Sequence, residues 1–252
     1  MSIIEAKTSL YKKIYRFSSV ESTMEIASSL AEEGAPEGTV IIAEEQTKGK
    51  GRAGHYWFSP EGGLYLSLIL RPTFSCSYIS QLSLMGAVGI VKSIREIALS
   101  LPSKIRWPND VVIKKRKVGG VLSEVKRERN KVSFVIMGIG VNLNIEEFPF
   151  SLSLKATSLK KELSYSVPLE DFSPILLNKI ENLYFSFKKN LSSFSEEVHL
   201  FSSLIGEQIK IQNEGEEFNG QVQDIDEQGN LILRLESGLQ KKISPEKGLI
   251  IC

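Results

Sequence analysis

The chain of 252 residues has a formal net charge of +1 and 42% apolar residues, which suits one large domain or a domain with a small module. This charge balance excludes a global basic field for nucleic acid, so any positive site must be local. No segment is apolar enough for a membrane span or a secretory signal. Cys76 and Cys252 match no disulfide framework or metal-ligand spacing, so we expect a reduced, cytoplasmic setting.

A short amphipathic helix is predicted to begin at Ser22, with two hydroxyls, those of Ser22 and Thr23, at its start. Ser22 is a candidate N-cap, and Glu25 three residues later would complete a capping box. Gly34 ends the apolar pattern. Only about twenty residues precede this helix, fewer than a helix-turn-helix segment needs, so we expect no DNA-binding domain and no DNA partner.

Residues 46–60, QTKGKGRAGHYWFSP, form a cationic loop rich in glycine. A β-branched run at residues 39–43 predicts the buried strand that leads to Gln46. The internal glycines disfavour both helix and strand. Lys50 and Arg52 beside accessible backbone N–H groups are typical of a site for an anion such as phosphate. A solvated mobile loop is the alternative interpretation.

The spacing Gly49-x-Gly51-x-x-Gly54 also matches the dinucleotide-binding fingerprint of a Rossmann dehydrogenase. The context disfavours that function. The third glycine is followed by HYWFSPEGG, in which a proline and two more glycines stand where the crossover helix should begin. The strand predicted at residues 64–70 ends at Arg71 without the acidic residue that binds the ribose in that fold.

The middle of the chain contains a rigid turn after a long helix. Apolar residues at helical spacing predict a helix from Ile79 to about Leu101, which would cover one face of the sheet. The pentapeptide RWPND follows. Its proline restricts the preceding residue and fixes its own φ, so Arg106, Asn109 and Asp110 are held in a defined turn.

Residues 111–113 and 118–125 are predicted to form a β-hairpin. Its tip, residues 114–117, is cationic, which is more typical of a charged turn than of a nucleic-acid patch. Gly119 and Gly120 leave two positions of the return strand without side chains, which permits the close approach of a ligand or of another backbone.

Residues 132–144 alternate with the period of a β-strand. The apolar residues face one way, while Gly138, Gly140, Asn142 and Asn144 face the other. This pattern is expected where a ligand lies across a sheet. A β-bulge or a tight strand crossing would use the same glycines, so both interpretations stay open.

The last third of the chain changes character near Leu204. Before it, Ser173-Pro174 predicts the start of a helix that packs by one side. After it, short strands at residues 208–211, 220–225, 231–235 and 240–243, separated by turn residues, predict a small β-barrel. We therefore expect two domains, residues 1–203 and 204–252. The second, of about 48 residues, is small for an independent core and should dock on the first.

Several separated motifs together resemble the biotin protein ligases, of the type without an N-terminal DNA-binding domain. The motifs are Ser22-Thr23, GKGRAGHYW, RWPND, KVGGVLSEV, GIGVNLN and ATSL, and with the small C-terminal module they extend over nearly the whole chain. The resemblance implies an α+β fold. Its catalytic domain would be a mixed sheet with helices packed on one face, as in class II synthetases, followed by an SH3-like β-barrel.

The resemblance also implies a reaction in two steps. The biotin carboxylate attacks the α-phosphate of ATP with Mg²⁺ present, which gives biotinyl-5′-AMP and pyrophosphate. A lysine of a biotin carboxyl carrier domain, part of a biotin-dependent carboxylase, then attacks the adenylate and releases AMP. This chemistry needs charges to be brought together and held more than it needs acid or base groups. The resemblance is compatible with a homodimer. It does not identify the ligands of Mg²⁺.

Carried over position by position, the resemblance assigns the site residues. Catalysis would depend on Lys50, Arg52 and Arg106. The biotin-binding residues would be Ser22, Thr23, Met24, Gln46, Lys50, Gly51, Arg52, Arg106, Gly119 and Gly120. The ATP-binding residues would be Lys50, Arg52, Trp57, Asn109, Asn142, Thr157 and Ser158. The glycine loop would order over the adenylate as a lid that excludes water, with Trp57 as part of it.

Two related functions are compatible with much of the same pattern. A lipoate or octanoate ligase or transferase would need a wider apolar pocket, and neither cysteine lies in a motif suited to thioester transfer. A non-catalytic biotin-binding module is the second. It stays open because Arg106 replaces the lysine usual at this place in the family, and its broad planar fork contacts a carboxylate or phosphate differently.

Overall fold

The computed structural model describes residues 1–5, 8–129 and 131–251. Cys252, one of the two cysteines considered above, lies outside this range. None of the helices formed by the described residues is both long and apolar enough to cross a membrane.

An eight-stranded mixed sheet forms the larger part of the structure. Its strands are β1 (Ser2–Glu5), β2 (Lys13–Val20), β3 (Thr39–Gln46), β4 (Gly63–Leu70), β5 (Ser103–Arg106), β6 (Asp110–Ile113), β7 (Arg116–Glu128) and β8 (Lys131–Asn142). They are ordered β1-β2-β3-β4-β8-β7-β6-β5. The pair β2–β3 is parallel, and the other neighbours are antiparallel. The prediction of a mixed sheet is confirmed.

The antiparallel pairing of β3 with β4 rules out the Rossmann interpretation of the glycine loop. Val40 lies opposite Leu68 in this pair, whereas a dinucleotide-binding unit requires parallel strands joined by a crossover helix. The loop between β3 and β4 contains only a short 3₁₀ turn at Arg52–Gly54.

The residues that the structure describes form five α-helices. They are α1 (Thr23–Glu32), α2 (Gln81–Ile97), α3 (Leu159–Leu163), α4 (Leu169–Lys189) and α5 (Ser195–Phe201). The main core joins α2, α4 and α5 to one face. A second, smaller core joins Met24, Ala27 and Ala31 of α1 to Ile41 and Ile136, which point to the other face. The α+β class is confirmed, but the helices do not all lie on one face.

The structure corrects the predicted ends of two helices. Helix α2 is shorter than the predicted span, because the backbone leaves the helical conformation at Ala98. Helix α4 begins at Leu169 rather than at Ser173, so Pro174 lies inside it. Acidic residues in its first turn complement the helix dipole, and burial of Phe172 offsets the single donor that the proline removes.

The capping box predicted at the start of α1 is wrong, because the side chains of Ser22 and Glu25 do not cap the helix. Ser22 occupies the N-cap position with extended backbone angles, but its hydroxyl makes no capping hydrogen bond to any described residue. Glu25 instead lies 3.2 Å from the ammonium group of Lys50 in the glycine loop. The first turn of α1 is therefore tied to the glycine loop, and the Ser22 hydroxyl is left without this role.

A second sheet of five antiparallel strands follows α5. Its strands are β9 (Gln208–Asn213), β10 (Glu216–Ile225), β11 (Leu231–Leu235), β12 (Gln240–Ile243) and β13 (Gly248–Ile251), ordered β12-β11-β10-β9-β13. This arrangement fits an SH3-like module. The first four strands were predicted from the sequence and β13 was not. The indole of Trp107 donates to the carbonyl oxygen of Gly229 at 2.9 Å, so the module is docked on the large domain.

Candidate functional site

A cavity of about 940 Å³ lies where the glycine loop, the turn of residues 106–110, strand β7 and the second sheet meet. It occupies the sheet face on which α1 packs, because Gly138 and Gly140 of β8 face it. The following predicted site residues line it: Thr23, Met24, Gln46, Lys50, Gly51, Arg52, Trp57, Arg106, Asn109 and Gly120.

The remaining predicted residues lie outside this lining. A Cβ on Gly119 would point at helix α2, 3.5 Å from Ile90. Asn142 donates to the carbonyl oxygen of Thr157 at 2.9 Å, and Ser158 caps α3 and donates to Ile145. These side chains organise the segment after β8 instead of facing the cavity. Their predicted contacts with ligands stay predictions.

One end of the cavity is neutral and rich in hydrogen-bonding groups. The backbone N–H and the hydroxyl of Thr23 both donate to Oε1 of Gln46, at 2.8 and 3.0 Å. Ser22 is buried beside them, and its hydroxyl has no partner among the described residues. Because a buried hydroxyl is normally hydrogen-bonded, this orphan is a candidate contact for a polar ligand. The sulfur of Met24 covers Gly138, where a Cβ would come within 2.6 Å of it.

The glycine loop is folded back on itself over the cavity. Gly51 donates to the carbonyl oxygen of His55 at 2.7 Å, and Trp57 donates to that of Gly49 at 2.9 Å. Ala53 adopts the left-handed conformation, with φ of 54°, which is uncommon for a residue other than glycine. The loop therefore has a defined closed form in this structure.

The ring of Trp57 lies against Gly140 and Gly120, two of the glycines that line the cavity. A Cβ would come within 2.6 Å of this ring at Gly140 and 3.2 Å at Gly120. The absence of side chains at these positions therefore makes the place for the indole. Its Nε1 is buried and finds no acceptor within the described part of the chain. The amine of Lys117 lies 4.7 Å from the ring centroid, within the range of a cation–π interaction.

Arg52, a predicted catalytic residue, is bound to the second sheet. Its two terminal nitrogens donate to the carbonyl oxygens of Pro245 and Gly248, at 2.7 and 2.8 Å. Burial lowers the pKa of Arg52, and the charge of Asp110 opposes this effect. An arginine remains cationic nonetheless, and three of its five N–H groups are left for another acceptor.

A cluster of charges stands at the other end of the cavity. Arg106 lies 2.9 Å from one oxygen of Asp110, and Lys117 lies 2.6 Å from the other. Asp110 thus holds two cations side by side. Of the residues that line the cavity, eight are Lys or Arg and two are Asp or Glu, although the net charge of the whole chain is only +1. The expectation that a positive site must be local is confirmed.

Lys117 is the residue of this cluster that sequence reasoning missed. Its position in the cationic tip was interpreted as part of a charged turn. The register between β6 and β7 shifts at this point, because Val111 pairs with Gly119 while Val112 pairs with Lys117. The extra residue, Val118, is a β-bulge, and a bulge re-aims the side chains beside it. Strict alternation would have put Lys117 and Gly120 on opposite faces.

The described residues offer no group of three His, Cys, Asp or Glu side chains that could hold a metal ion. The carboxylate of Asp110 at the cavity is already paired with two cations. Within the described part of the chain, the side chains therefore form no metal site of their own.

Comparisons with known proteins agree with this geometry. Residues 16–142 match the Biotin/lipoate A/B protein ligase family, and residues 204–244 match the Biotin protein ligase C terminal domain. The chain is 34% identical over 233 residues to the bifunctional ligase/repressor BirA of Bacillus spizizenii, which covers 90% of this chain and 71% of that protein. It is 30% identical over 210 residues to a biotin–(acetyl-CoA-carboxylase) ligase of Paracoccus denitrificans, which covers 79% and 85%.

A solved structure is similar over nearly the full length. The biotin protein ligase of Aquifex aeolicus in complex with biotin and ATP superposes with a TM-score of 0.84 and 30% identity, over 94% of this chain and 98% of that one. The similarity includes both sheets, since it spans the main domain and the C-terminal module.

Proposed function

Because the chain belongs to the biotin/lipoate A/B protein ligase family and is an ATP-dependent biotin–protein ligase, we propose that the cavity under the glycine loop binds biotin and ATP together and joins them. One observation carries this assignment. A neutral hydrogen-bonding end and a strongly cationic end share one cavity, and the ring of Trp57 covers the sheet between them. A molecule with a polar uncharged head, an apolar chain and a carboxylate fits this order.

The neutral end would hold the ring system of biotin. Ser22 supplies a buried hydroxyl without a partner, and Thr23 and Gln46 supply an acceptor and a donor. Met24 closes this end of the cavity with an apolar side chain. The aliphatic chain of biotin would run along the Trp57 ring toward the cations.

The cationic end would carry out the first step. A carboxylate oxygen of biotin attacks the α-phosphorus of ATP, the bond to the bridging oxygen breaks, and pyrophosphate leaves. Both reactants are anions, so the barrier includes their repulsion, and preorganised cations in a cavity lower it. Lys50, Arg52, Arg106 and Lys117 are the groups placed to do so. Asn109 of the same turn would border the nucleotide.

The second step transfers biotin to a protein. The neutral amine of an acceptor lysine attacks the acyl carbon of biotinyl-5′-AMP. An amide bond forms, AMP leaves with the electrons of the broken bond, and the nitrogen loses one proton to solvent. Biotin protein ligases act on biotin carboxyl carrier proteins of carboxylases, and we propose such a carrier domain as the acceptor here. Homodimeric assembly and a cytoplasmic location are further proposals that rest on the family resemblance.

Magnesium would enter with the nucleotide in this proposal. Mg²⁺ usually keeps several waters and is bound through substrate phosphates plus one or two carboxylates. When bound, the ion would neutralise phosphate charge.

Biotin-dependent exchange of pyrophosphate into ATP tests the first step directly. The expected result is exchange with biotin, ATP and Mg²⁺ and none without biotin. Exchange with lipoate or octanoate in place of biotin would instead indicate the related ligases. Biotin binding without exchange would indicate the non-catalytic module. Mass measurement of a carrier domain incubated with the chain, biotin and ATP tests the second step.

A further inference from the structure

We infer that Ser67, on strand β4, is a positioning residue that sets how the cavity recognises the ring of biotin. Ser67 is fully buried and its hydroxyl lies 2.8 Å from Oγ1 of Thr23. This inference rests on the proposed function and adds to it a residue that no motif identifies.

Ser67 is the first member of a buried chain of hydrogen bonds. Its hydroxyl contacts Thr23, Thr23 contacts Oε1 of Gln46 at 3.0 Å, and Nε2 of Gln46 contacts Ser59 at 3.1 Å. Ser59 then contacts the carbonyl oxygen of Trp57 at 2.8 Å. The chain of hydrogen bonds therefore joins strand β4 to the base of the glycine loop.

The direction of every bond in this chain is fixed by its geometry. The backbone N–H of Thr23 can only donate, so the atom 2.8 Å from it must be the oxygen of Gln46. That oxygen can only accept, so the Thr23 hydroxyl must donate to it. The proton of Thr23 is then used, and Ser67 must be the donor in its contact with Thr23. At the far end the carbonyl of Trp57 accepts the proton of Ser59.

These assignments determine what the cavity can offer to a ligand. The Thr23 hydroxyl donates its proton to Gln46 and accepts from Ser67 with one lone pair. It therefore keeps a single free lone pair and can only accept from a ligand. Gln46 has one N–H left and can only donate. A cyclic urea, with an N–H beside a C=O, matches this pair of groups. A ligand ring with an oxygen in place of that N–H would set its oxygen against the Thr23 oxygen, and two acceptors cannot form a hydrogen bond.

Ser67 therefore acts through Thr23. Without the Ser67 hydroxyl, Thr23 would keep a second lone pair, buried and unpaired, and the direction of the remaining one would no longer be fixed. The loss should fall on the affinity for biotin, because the cationic end of the cavity is untouched. Net contributions of such hydrogen bonds correspond to about a three- to tenfold change in affinity.

The test is the Ser67→Ala variant of the full chain, assayed by pyrophosphate exchange. We expect the KM for biotin to rise about three- to tenfold, with kcat and the KM for ATP within about twofold. The matched control is Ser93→Ala, which removes an equally buried hydroxyl that donates to Gly89 within α2. It should leave both KM values unchanged.

An unchanged KM for biotin in an active Ser67→Ala variant would overturn the inference. A fall in kcat with both KM values raised together would also overturn it, because that pattern indicates a general structural defect. If the alanine variant does not fold, Ser67→Cys, which keeps the size and a weak donor, should show a smaller selective rise in the biotin KM. Absence of exchange by the unaltered chain is a different result, which would refute the proposed function and this inference with it.

Discussion

The guanidinium of Arg52 donates to the backbone carbonyl oxygen of Gly248 at 2.8 Å. A second bond to Pro245, at 2.7 Å, completes a forked contact that joins the glycine loop to the C-terminal sheet. The loop that closes the cavity is thus fastened by the small domain, and three N–H groups of Arg52 remain for an anion. One side chain links closure of the loop to the domain interface and to the phosphate end of the cavity.

The loss of activity should therefore depend on which residue replaces Arg52. Arg52→Ala removes the charge and both carbonyl contacts, and we expect exchange to fall by at least about 100-fold, the usual loss for one preorganised donor. Arg52→Lys keeps a charge but lacks the planar fork, so an intermediate loss of about tenfold is expected. The measurement is the rate of biotin-dependent pyrophosphate exchange.

Lys115→Ala is the control for Arg52. Lys115 also lines the cavity, but it lies at the exposed hairpin tip, where a single charge has little effect. We expect exchange within about twofold of the unaltered chain. Equal losses for the alanine variants of Arg52 and Lys115 would contradict the assigned role of Arg52.

The place of the Trp57 ring gives a second prediction. Gly140→Ala would put a Cβ within 2.6 Å of the indole, closer than such atoms approach, so the ring must leave its position. We expect the KM for biotin to rise about tenfold or more, in line with the cost of overpacking a tight site, together with a changed tryptophan emission spectrum. Gly120→Ala serves as a graded comparison, since its Cβ would lie 3.2 Å from the ring, and its effect should be smaller.

Lys117 is expected to act on the chemical step. Its amine is held by Asp110 at the cationic end, so Lys117→Ala should lower kcat by about 100-fold with the KM for biotin changed by less than about threefold. Lys104→Ala, which removes an exposed lysine of the cavity rim, is the control. A large rise in the biotin KM with normal kcat would place Lys117 at the wrong end of the site.

The features that follow from local chemistry could be predicted from the sequence. Alternation along β8 put Gly138 and Gly140 on one face, and the structure has both there, one under Met24 and the other under Trp57. The turn at residues 106–110 was predicted from its proline. In each case the backbone period or a fixed φ determines where the side chain points, without information from distant residues.

The features that depend on distant residues could not be predicted in this way. The partners of Arg52 lie about two hundred residues further along the chain. Gly248 begins β13, a strand that the sequence pattern did not predict, and Pro245 lies in the turn before it. Lys117 reaches the cavity through a bulge, which no composition pattern indicates. Ser67 is one polar residue in a buried apolar strand, and its role appears only when β4 lies beside α1 and Thr23 is 2.8 Å away.

Glu162 gives a prediction about stability and pH. Its side chain is 1% exposed and is shared by Lys114 at 3.2 Å and Arg116 at 2.6 Å, while Thr157 donates to it at 2.7 Å. Burial alone would raise the pKa of Glu162, but these hydrogen bonds and charges outweigh it and lower the pKa below its ordinary value. Glu162 thereby ties the hairpin tip to the segment that begins α3.

A carboxyl group whose pKa is lower in the folded chain than in the unfolded chain stabilises the fold at pH values above its unfolded pKa. This stabilisation is lost as the pH falls through the folded pKa. Glu162→Gln should therefore be less stable than the unaltered chain by about 1–3 kcal/mol at pH 7. The difference should shrink as pH falls below the ordinary value of 4.5. Urea unfolding at a series of pH values measures it. The control is Glu216→Gln, at an exposed position of β10, whose free energy of unfolding should stay within about 0.5 kcal/mol of the unaltered chain at every pH. If the difference for Glu162→Gln persists unchanged in acid, the charge of Glu162 is not its cause.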